Sequence, residues 1–251
     1  GAAQAELEFS GKIDLEARVF TEDASRNNQE DTNASLLIEP QWVWFSEDQQ
    51  HLLQFKPMLR IDQNDDERTH GDIRELKYFH VGDGWEIHIG IDQVFWGVAE
   101  TVHLVDIVNQ TDAVEAPDGE DKLGQPMVHA SWVKDWGTLD FFVLPYFRER
   151  TFSGWDGRLR GPLPVNTDMP LYESSYEEKH VDFAMRWNHS FGDWEMAISG
   201  FTGTSREPLL VMQNDQNNAP QLVPFYPQIN QLGLESIYLS GDWIWKIEAI
   251  H

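Results

Sequence analysis

The chain has 251 residues, of which 18 are Lys or Arg and 43 are Asp or Glu, so its formal net charge is −25. Such acidity argues against nucleic acid as a partner, because phosphate groups would be repelled. Cysteine is absent, which excludes a disulfide framework and a thiolate metal site. The sequence also has no apolar run of about 18 residues, the length that a transmembrane helix requires.

Apolar and polar residues alternate from the start of the chain. Leu7, Phe9 and Ile13 alternate with Glu8 and Lys12, and a period of two indicates a strand with one apolar and one polar face. Similar segments, some less regular, lie at about 36–44, 53–61, 73–81, 85–91, 127–133, 139–148, 181–188, 194–203, 230–239 and 243–249. The sequence therefore predicts an all-β protein of about eleven strands.

The connections between these strands alternate in length. Long ones cover about 21–33, 63–72, 96–126, 149–179 and 204–229, and short ones cover about 46–50, 82–84, 134–137, 191–193 and 240–242. Bacterial outer-membrane barrels have short periplasmic turns and long external loops. We therefore predict that residues 1–251 form a single antiparallel transmembrane β-barrel domain in the bacterial outer membrane.

Tight polar turns lead directly into tryptophan at several places. Gly-Asp turns come shortly before Trp85, Trp194 and Trp243, and a looser version contains Trp136. Tryptophan is favoured at a membrane–water boundary, so these four residues are predicted to form a periplasmic aromatic girdle. The alternative interpretation is that they are hairpin tryptophans that pack on a core.

Three prolines lie inside predicted strands, at Pro40, Pro57 and Pro145. Proline cannot donate a ladder hydrogen bond and is normally confined to edges and bulges. We therefore expect bulges or local strain at these positions.

The segment at 72–112 resembles a family of poorly characterised proteobacterial outer-membrane porin-like proteins. The residues that carry the resemblance are Arg74-Glu75, Trp85, Gly90, Gln93, Trp96-Gly97 and Leu104 to Asn109. The resemblance implies a β-barrel in which the Trp-Gly segment leads into a loop that folds into the lumen, but it implies no particular substrate. Asp92 departs from the family pattern, which tends to have an arginine there, and this change favours cations. Gln110 stands where the family tends to have proline.

The chain also looks incomplete as a barrel. An odd number of strands is unusual, because single-chain bacterial barrels have even numbers, and His251 is not the terminal aromatic residue of a finished barrel. We expect the natural protein to continue with further strands.

Polar and charged residues on the polar faces of the predicted strands, and in the connection after Trp96, are candidates for the lining of a pore. Rings of one charge select ions of the opposite charge, so the acidic excess favours a porin or channel for small solutes that prefers cations. The candidate pore residues are Lys56, Arg60, Arg74, Glu75, Glu86, Asp92, Gln93, Glu100, Asp106, Arg148 and Arg186.

The segment at 97–112 mixes apolar residues with acidic ones. Its apolar part would not stay exposed outside a cell, so we predict that it folds inward beside Arg74, Asp92 and Gln93 and narrows the pore. It is predicted to be either a short helix or an irregular loop. In the alternative interpretation it lies outside the barrel, covered by other loops or by a partner subunit.

Other functions have weaker support. Asp62, Asn64 and Asp66 resemble part of a calcium loop but lack its glycine and distal glutamate, so no metal and no other cofactor is predicted. No Gly-x-Ser-x-Gly motif occurs, and the protein is not predicted to be an enzyme. A soluble carbohydrate-binding β-sandwich with a tryptophan platform, or a barrel hydrolase, remains an alternative. The expected partners are outer-membrane lipid, lipopolysaccharide, small solutes and further copies of the chain.

Overall fold

The computed structural model describes residues 5–100, 102–116 and 118–251, in which the regular structure is almost entirely β-strand. This confirms the all-β class. Among these residues, no helix has both the length and the apolar character needed to cross a membrane. The strands are β1 (Glu6–Val19), β2 (Thr32–Phe45), β3 (His51–Asp62), β4 (His70–Val81), β5 (Trp85–Asp92), β6 (Gln125–Lys134), β7 (Gly137–Leu144), β8 (Leu171–Tyr172), β9 (Asp182–Phe191), β10 (Trp194–Thr204), β11 (Leu209–Asn214), β12 (Pro220–Tyr226), β13 (Gln228–Ser240) and β14 (Trp243–Ile250). Two single-turn 3-10 helices, Asp66–Arg68 and Glu177–Lys179, complete the regular elements.

Eleven strands form one antiparallel sheet in the order β1-β2-β3-β4-β5-β6-β7-β9-β10-β13-β14. Each strand therefore pairs with the strands before and after it in the sheet, and each overlaps a segment whose alternation predicts a strand. Strands β1 and β14 have one neighbour each, so the described strands form an open meander. The structure therefore contains a large antiparallel sheet, and its described strands do not form a closed barrel.

Three further strands were not predicted. Strands β11, β12 and β8 form a small second sheet within the connections that the sequence suggested were loops, at 149–179 and 204–229. Strands β11 and β12 make a hairpin, and β12 pairs with β8 in parallel over only two residues. Such short elements lack the long alternation that revealed the strands of the main sheet.

The strand pairing places the apolar residues of the main sheet on one face, which we call the outer face. Phe9 lies opposite Trp42, and Trp42 lies opposite Phe55, with ring centroids 5.3 and 5.7 Å apart. Within the eleven described strands, this face carries no Asp, Glu, Lys or Arg apart from Lys134, the last residue of β6. Its side chains are exposed, and Ile13 and Leu15 are 74% and 80% accessible.

The charged residues lie on the opposite, inner face. Arg60 lies opposite His70, Lys56 opposite Glu75, and Arg186 opposite Asp140. Connections from distant parts of the strand order meet beside this face, because the β5–β6 connection contacts both β4 and β14. These contacts indicate that the sheet curls around its inner face, as twisted antiparallel sheets do.

The prolines interrupt the pairing between strands, because proline has no backbone N–H to donate to a neighbouring strand. The ladder between β2 and β3 is broken where Pro40 and Pro57 face each other, and the register between β3 and β4 shifts at Pro57. Pro145 directly follows Leu144, the last residue of β7. The predicted strand at 139–148 is therefore too long, and Arg148 lies in a connection instead of in a strand.

Candidate functional site

The connection between β5 and β6 crosses the inner face of the sheet, and it is the candidate functional site. No helix forms in it, so the predicted alternative of a short helix is wrong for its described part. Thr101 lies outside the described residues of the predicted segment at 97–112. We call the connection at 93–124 the inner segment.

Apolar side chains hold the centre of the inner segment. Val105 and Val108 are fully buried, and Trp96 is 5% accessible. Trp96 meets Phe142 edge to face, with centroids 5.5 Å apart. The complete buried cluster is Trp96, Val105, Ile107, Val108, Met127, Phe142, Leu144, Ala184 and Phe201. Burial of these side chains provides the driving force that keeps the segment on the sheet.

The first half of the inner segment is fastened to β14. The carboxylate of Glu248 accepts hydrogen bonds from the backbone N–H groups of Val98, Ala99 and Val105, at 2.6, 2.7 and 3.4 Å. Hydrogen bonds to a charged acceptor are stronger than those between neutral groups. Lys246, also on β14, forms an ion pair with Glu100.

The second half is fastened to β3 and β4 by buried ion pairs. Arg60 binds Glu115 through two of its nitrogens, with distances of 2.6 and 2.8 Å to the carboxylate oxygens. Arg74 donates to Asp112 at 2.6 Å and to Asp72 at 3.0 Å. All five side chains are almost completely buried. Paired charges in this environment fix a single position for the segment, because an unpaired buried charge is very unfavourable.

Asp112 has the most strongly shifted acid–base equilibrium of the inner segment. Burial alone would raise its pKa, but the hydrogen bond from His70 and the charge of Arg74 outweigh burial and lower its pKa from 3.8 to about 2. Thr151 adds a further hydrogen bond at 2.7 Å. The Asp112 carboxylate is therefore charged over the whole physiological pH range.

The depressed pKa of Asp112 predicts how acid affects stability. A group whose pKa is lower in the folded state contributes stability above its unfolded pKa, and that stability is lost as the pH falls through the folded pKa. We expect Asp112 to contribute about 2 kcal/mol at pH 5, a contribution that declines between about pH 4 and pH 2. Urea unfolding at a series of pH values measures it. The Asp112→Asn variant should show a shallower slope in this interval, and an unchanged slope would contradict the assignment.

The structure brings some of the predicted pore residues together and separates others. Arg60, Arg74, Arg148 and Asp92 lie around the inner segment, and Gln93 is its first residue. Arg148 binds Asp72 at 2.6 Å, and Asp92 binds Lys77 at 2.6 Å. Glu100 and Asp106 belong to the segment, with Asp106 buried against Lys122 at 3.1 Å. Lys56, Glu75, Glu86 and Arg186 lie elsewhere on the inner face.

A cavity of about 160 Å³ lies on the inner face near the short turns. Val98 of the inner segment lines it, together with Arg186, Asn188, Glu195 and Glu235. Arg186 and Glu235 form a two-pronged ion pair at 2.9 and 3.0 Å. The cavity is thus a polar space bordered by the inner segment and the wall of the sheet.

Three residues on the inner face superficially resemble a hydrolase triad. Ser131 and Asp140 both contact His129, but both do so at Nε2, at 3.1 and 2.8 Å. In a catalytic triad the nucleophile and the orienting carboxylate contact opposite ring nitrogens. The arrangement therefore lacks the geometry of a catalytic triad.

The sequence interpretation missed another cluster, that of His70, Asp112 and Glu115. One potential ligand atom from each lies within 4.8 Å of the others. Both carboxylates already bind arginine, Asp112 through Arg74 and Glu115 through Arg60. Two adjacent guanidinium groups would repel a cation, so the geometry favours an ion-pair network over a metal centre.

The four tryptophans predicted to form a girdle lie at one edge of the sheet. Trp85, Trp194 and Trp243 each begin a strand, and Trp136 lies in the turn between β6 and β7. They are 40–70% accessible. The short connections of the main sheet lie at this edge, and its long connections lie at the opposite edge. The tryptophans are thus distributed along a rim instead of forming one compact platform.

No protein-family model, curated protein or solved structure matches this chain. The fold and the site therefore define only a class: an all-β protein with an eleven-stranded antiparallel meander and a connecting segment packed on its inner face. The resemblance to porin-like proteins stays a prediction.

Proposed function

We propose that the protein is an outer-membrane β-barrel channel that passes small solutes and prefers cations. The exposed outer face is the observation that carries this proposal. In water, side chains as accessible as Phe9, Ile13 and Leu15 would form an apolar patch far larger than soluble proteins tolerate. In a bilayer the same face contacts lipid, and the charged inner face borders an aqueous lumen.

The two edges of the sheet support an orientation of the barrel in which the short connections face the periplasm. The tryptophan rim at the short connections matches a periplasmic interface, where amphipathic rings are favoured. The long connections then lie outside the cell. In this arrangement the inner segment occupies part of the lumen and narrows the path for solutes, because it packs against strands from β3 to β14.

The unpaired charges on the inner face support cation preference. Each Lys and Arg on this face of the described strands has an acidic partner, such as Asp92 for Lys77 and Glu235 for Arg186. In contrast, Glu8, Glu86 and Glu195 have no basic group within 4.0 Å among the described residues. The surplus charge is therefore negative, and it attracts cations.

Reconstitution of the purified protein in planar bilayers tests this function. We expect extraction only by detergent, heat-modifiable migration on a gel, and a reversal potential across a salt gradient that shows cation preference. The double variant Glu86→Gln/Glu195→Gln should reduce this preference, because it removes two unpaired charges. Glu47→Gln, in the short β2–β3 turn, is the matched control and should behave like the wild type. A monomer that is soluble without detergent, or an anion-selective channel, would overturn the proposal.

A further inference from the structure

Two arginines at the edge of the long connections differ from all others in the chain. Every other arginine lies within 4.0 Å of a carboxylate. Arg26 and Arg160 have no such partner among the described residues, although the chain contains 43 Asp and Glu residues and only 18 Lys and Arg residues. We call them the outer arginine pair. Two unpaired cations at one place in so acidic a protein suggest a site for an external anion.

Backbone carbonyl groups hold the outer arginine pair in place. Arg26, in the β1–β2 connection, donates to the carbonyl oxygen of Pro162 at 2.6 Å. Arg160 donates to the carbonyl oxygen of Trp155 at 2.8 Å. Both guanidinium groups also approach the carbonyl oxygen of Gly161, at 3.5 and 3.2 Å. These neutral acceptors orient the arginines without cancelling their charge.

The surroundings leave this charge unsatisfied. Asp156 is a nearby carboxylate, but it accepts a hydrogen bond from Asn28 at 2.8 Å instead of from an arginine. One nitrogen of Arg160, Nη2, is buried without a hydrogen-bond partner. Burial and the charge of Arg26 lower the pKa of Arg160. A bound anion would relieve the repulsion between the two cations.

An aromatic surface adjoins the outer arginine pair. The guanidinium of Arg160 lies over the Trp155 ring, 4.8 Å from its centroid, and Trp155 is still 58% accessible. Exposed tryptophan provides a flat surface with an apolar body. A ring that carries an anionic group can therefore stack on Trp155 while its anion binds the arginines.

We propose that the outer arginine pair and Trp155 bind a phosphate group carried on a saccharide, and that its source is the surrounding lipopolysaccharide. Arginine suits phosphate because its planar guanidinium matches the phosphate oxygens. The pair lies at the edge of the long connections, so its location in the lipopolysaccharide layer rests on the proposed function. The anion site itself rests only on the arginine geometry.

Binding of lipopolysaccharide to the detergent-purified protein tests this proposal. The double variant Arg26→Gln/Arg160→Gln should bind phosphorylated lipopolysaccharide about tenfold or more weakly, since it loses charge-assisted hydrogen bonds. Arg150→Gln is the control at the same edge: Arg150 already pairs with Glu207 at 2.7 Å, so its loss should leave affinity unchanged. Removal of the phosphates from the lipopolysaccharide should weaken wild-type binding to the level of the double variant.

Inorganic phosphate distinguishes the possible sources and separates this proposal from the proposed function. Its titration requires no membrane, so it reports on the arginine site even if the protein is not a channel. Weak binding of inorganic phosphate that the double variant loses supports the site. Equal binding of phosphorylated and dephosphorylated lipopolysaccharide would overturn the proposal. Binding of inorganic phosphate without binding of lipopolysaccharide would overturn the lipopolysaccharide source.

Discussion

Replacement of Arg74 by alanine is expected to destabilise the protein by about 3–5 kcal/mol. Arg74 is 4% accessible and binds Asp112 and Asp72 at 2.6 and 3.0 Å. Its removal leaves two buried carboxylates with fewer partners, although His70 and Arg148 still reach them. The penalty is large because a buried carboxylate that loses its guanidinium partner is stabilised neither by water nor by a complete set of ion pairs.

Denaturant unfolding of the reconstituted protein measures this effect. The control is Lys12→Ala: Lys12 pairs with Asp14 at 3.2 Å, but both side chains are exposed, at 60% and 44%. Such a pair contributes at most about 1 kcal/mol. If Arg74→Ala and Lys12→Ala destabilised the protein equally, the inner segment would not depend on buried ion pairs.

Replacement of Ile13 by arginine distinguishes a membrane environment from water. Ile13 lies on the outer face and is 74% accessible. If this face contacts lipid near the bilayer midplane, the substitution should destabilise the protein by about 2–4 kcal/mol. If the face contacts water, a substitution at so exposed a position should change stability by less than about 0.5 kcal/mol.

Asp14→Arg is the matched control, because it introduces the same side chain one position along β1 and on the inner face. It should cost far less than Ile13→Arg when both variants fold in lipid vesicles. Equal costs at the two positions would mean that the faces of the sheet are assigned wrongly.

The main sheet was predictable from sequence because its signal is local. Alternation over ten or so residues specifies a strand and its two faces, as the alternation of Phe9 and Ile13 with Glu8 and Lys12 does for β1. The chain order then gives the antiparallel meander, since short connections join neighbouring strands. The small sheet of β8, β11 and β12 has no comparable pattern.

The anchors of the inner segment were not predictable in the same way. Its apolar residues indicate that it must be buried, but Glu115 and Arg60 are separated by 55 residues in sequence, and Val98 and Glu248 by 150. No local pattern links such pairs, because they depend on register and on the curl of the sheet. For this reason the contacts of Glu248 and Glu115 were not predicted, whereas Arg74 was predicted to lie beside the segment.

The bond between the inner segment and Glu248 has a consequence for the order of assembly. Each strand of the main sheet pairs with a near neighbour in sequence, so hairpins can form one after another as the chain emerges. The inner segment is different, because its first half depends on a carboxylate in β14, the last of the described strands. Until β14 is in place, this half has no ionic anchor, and the interior stays accessible during the earlier steps. Fastening of the first half of the inner segment is thus coupled to the addition of β14, and it comes after the pairing of the preceding described strands.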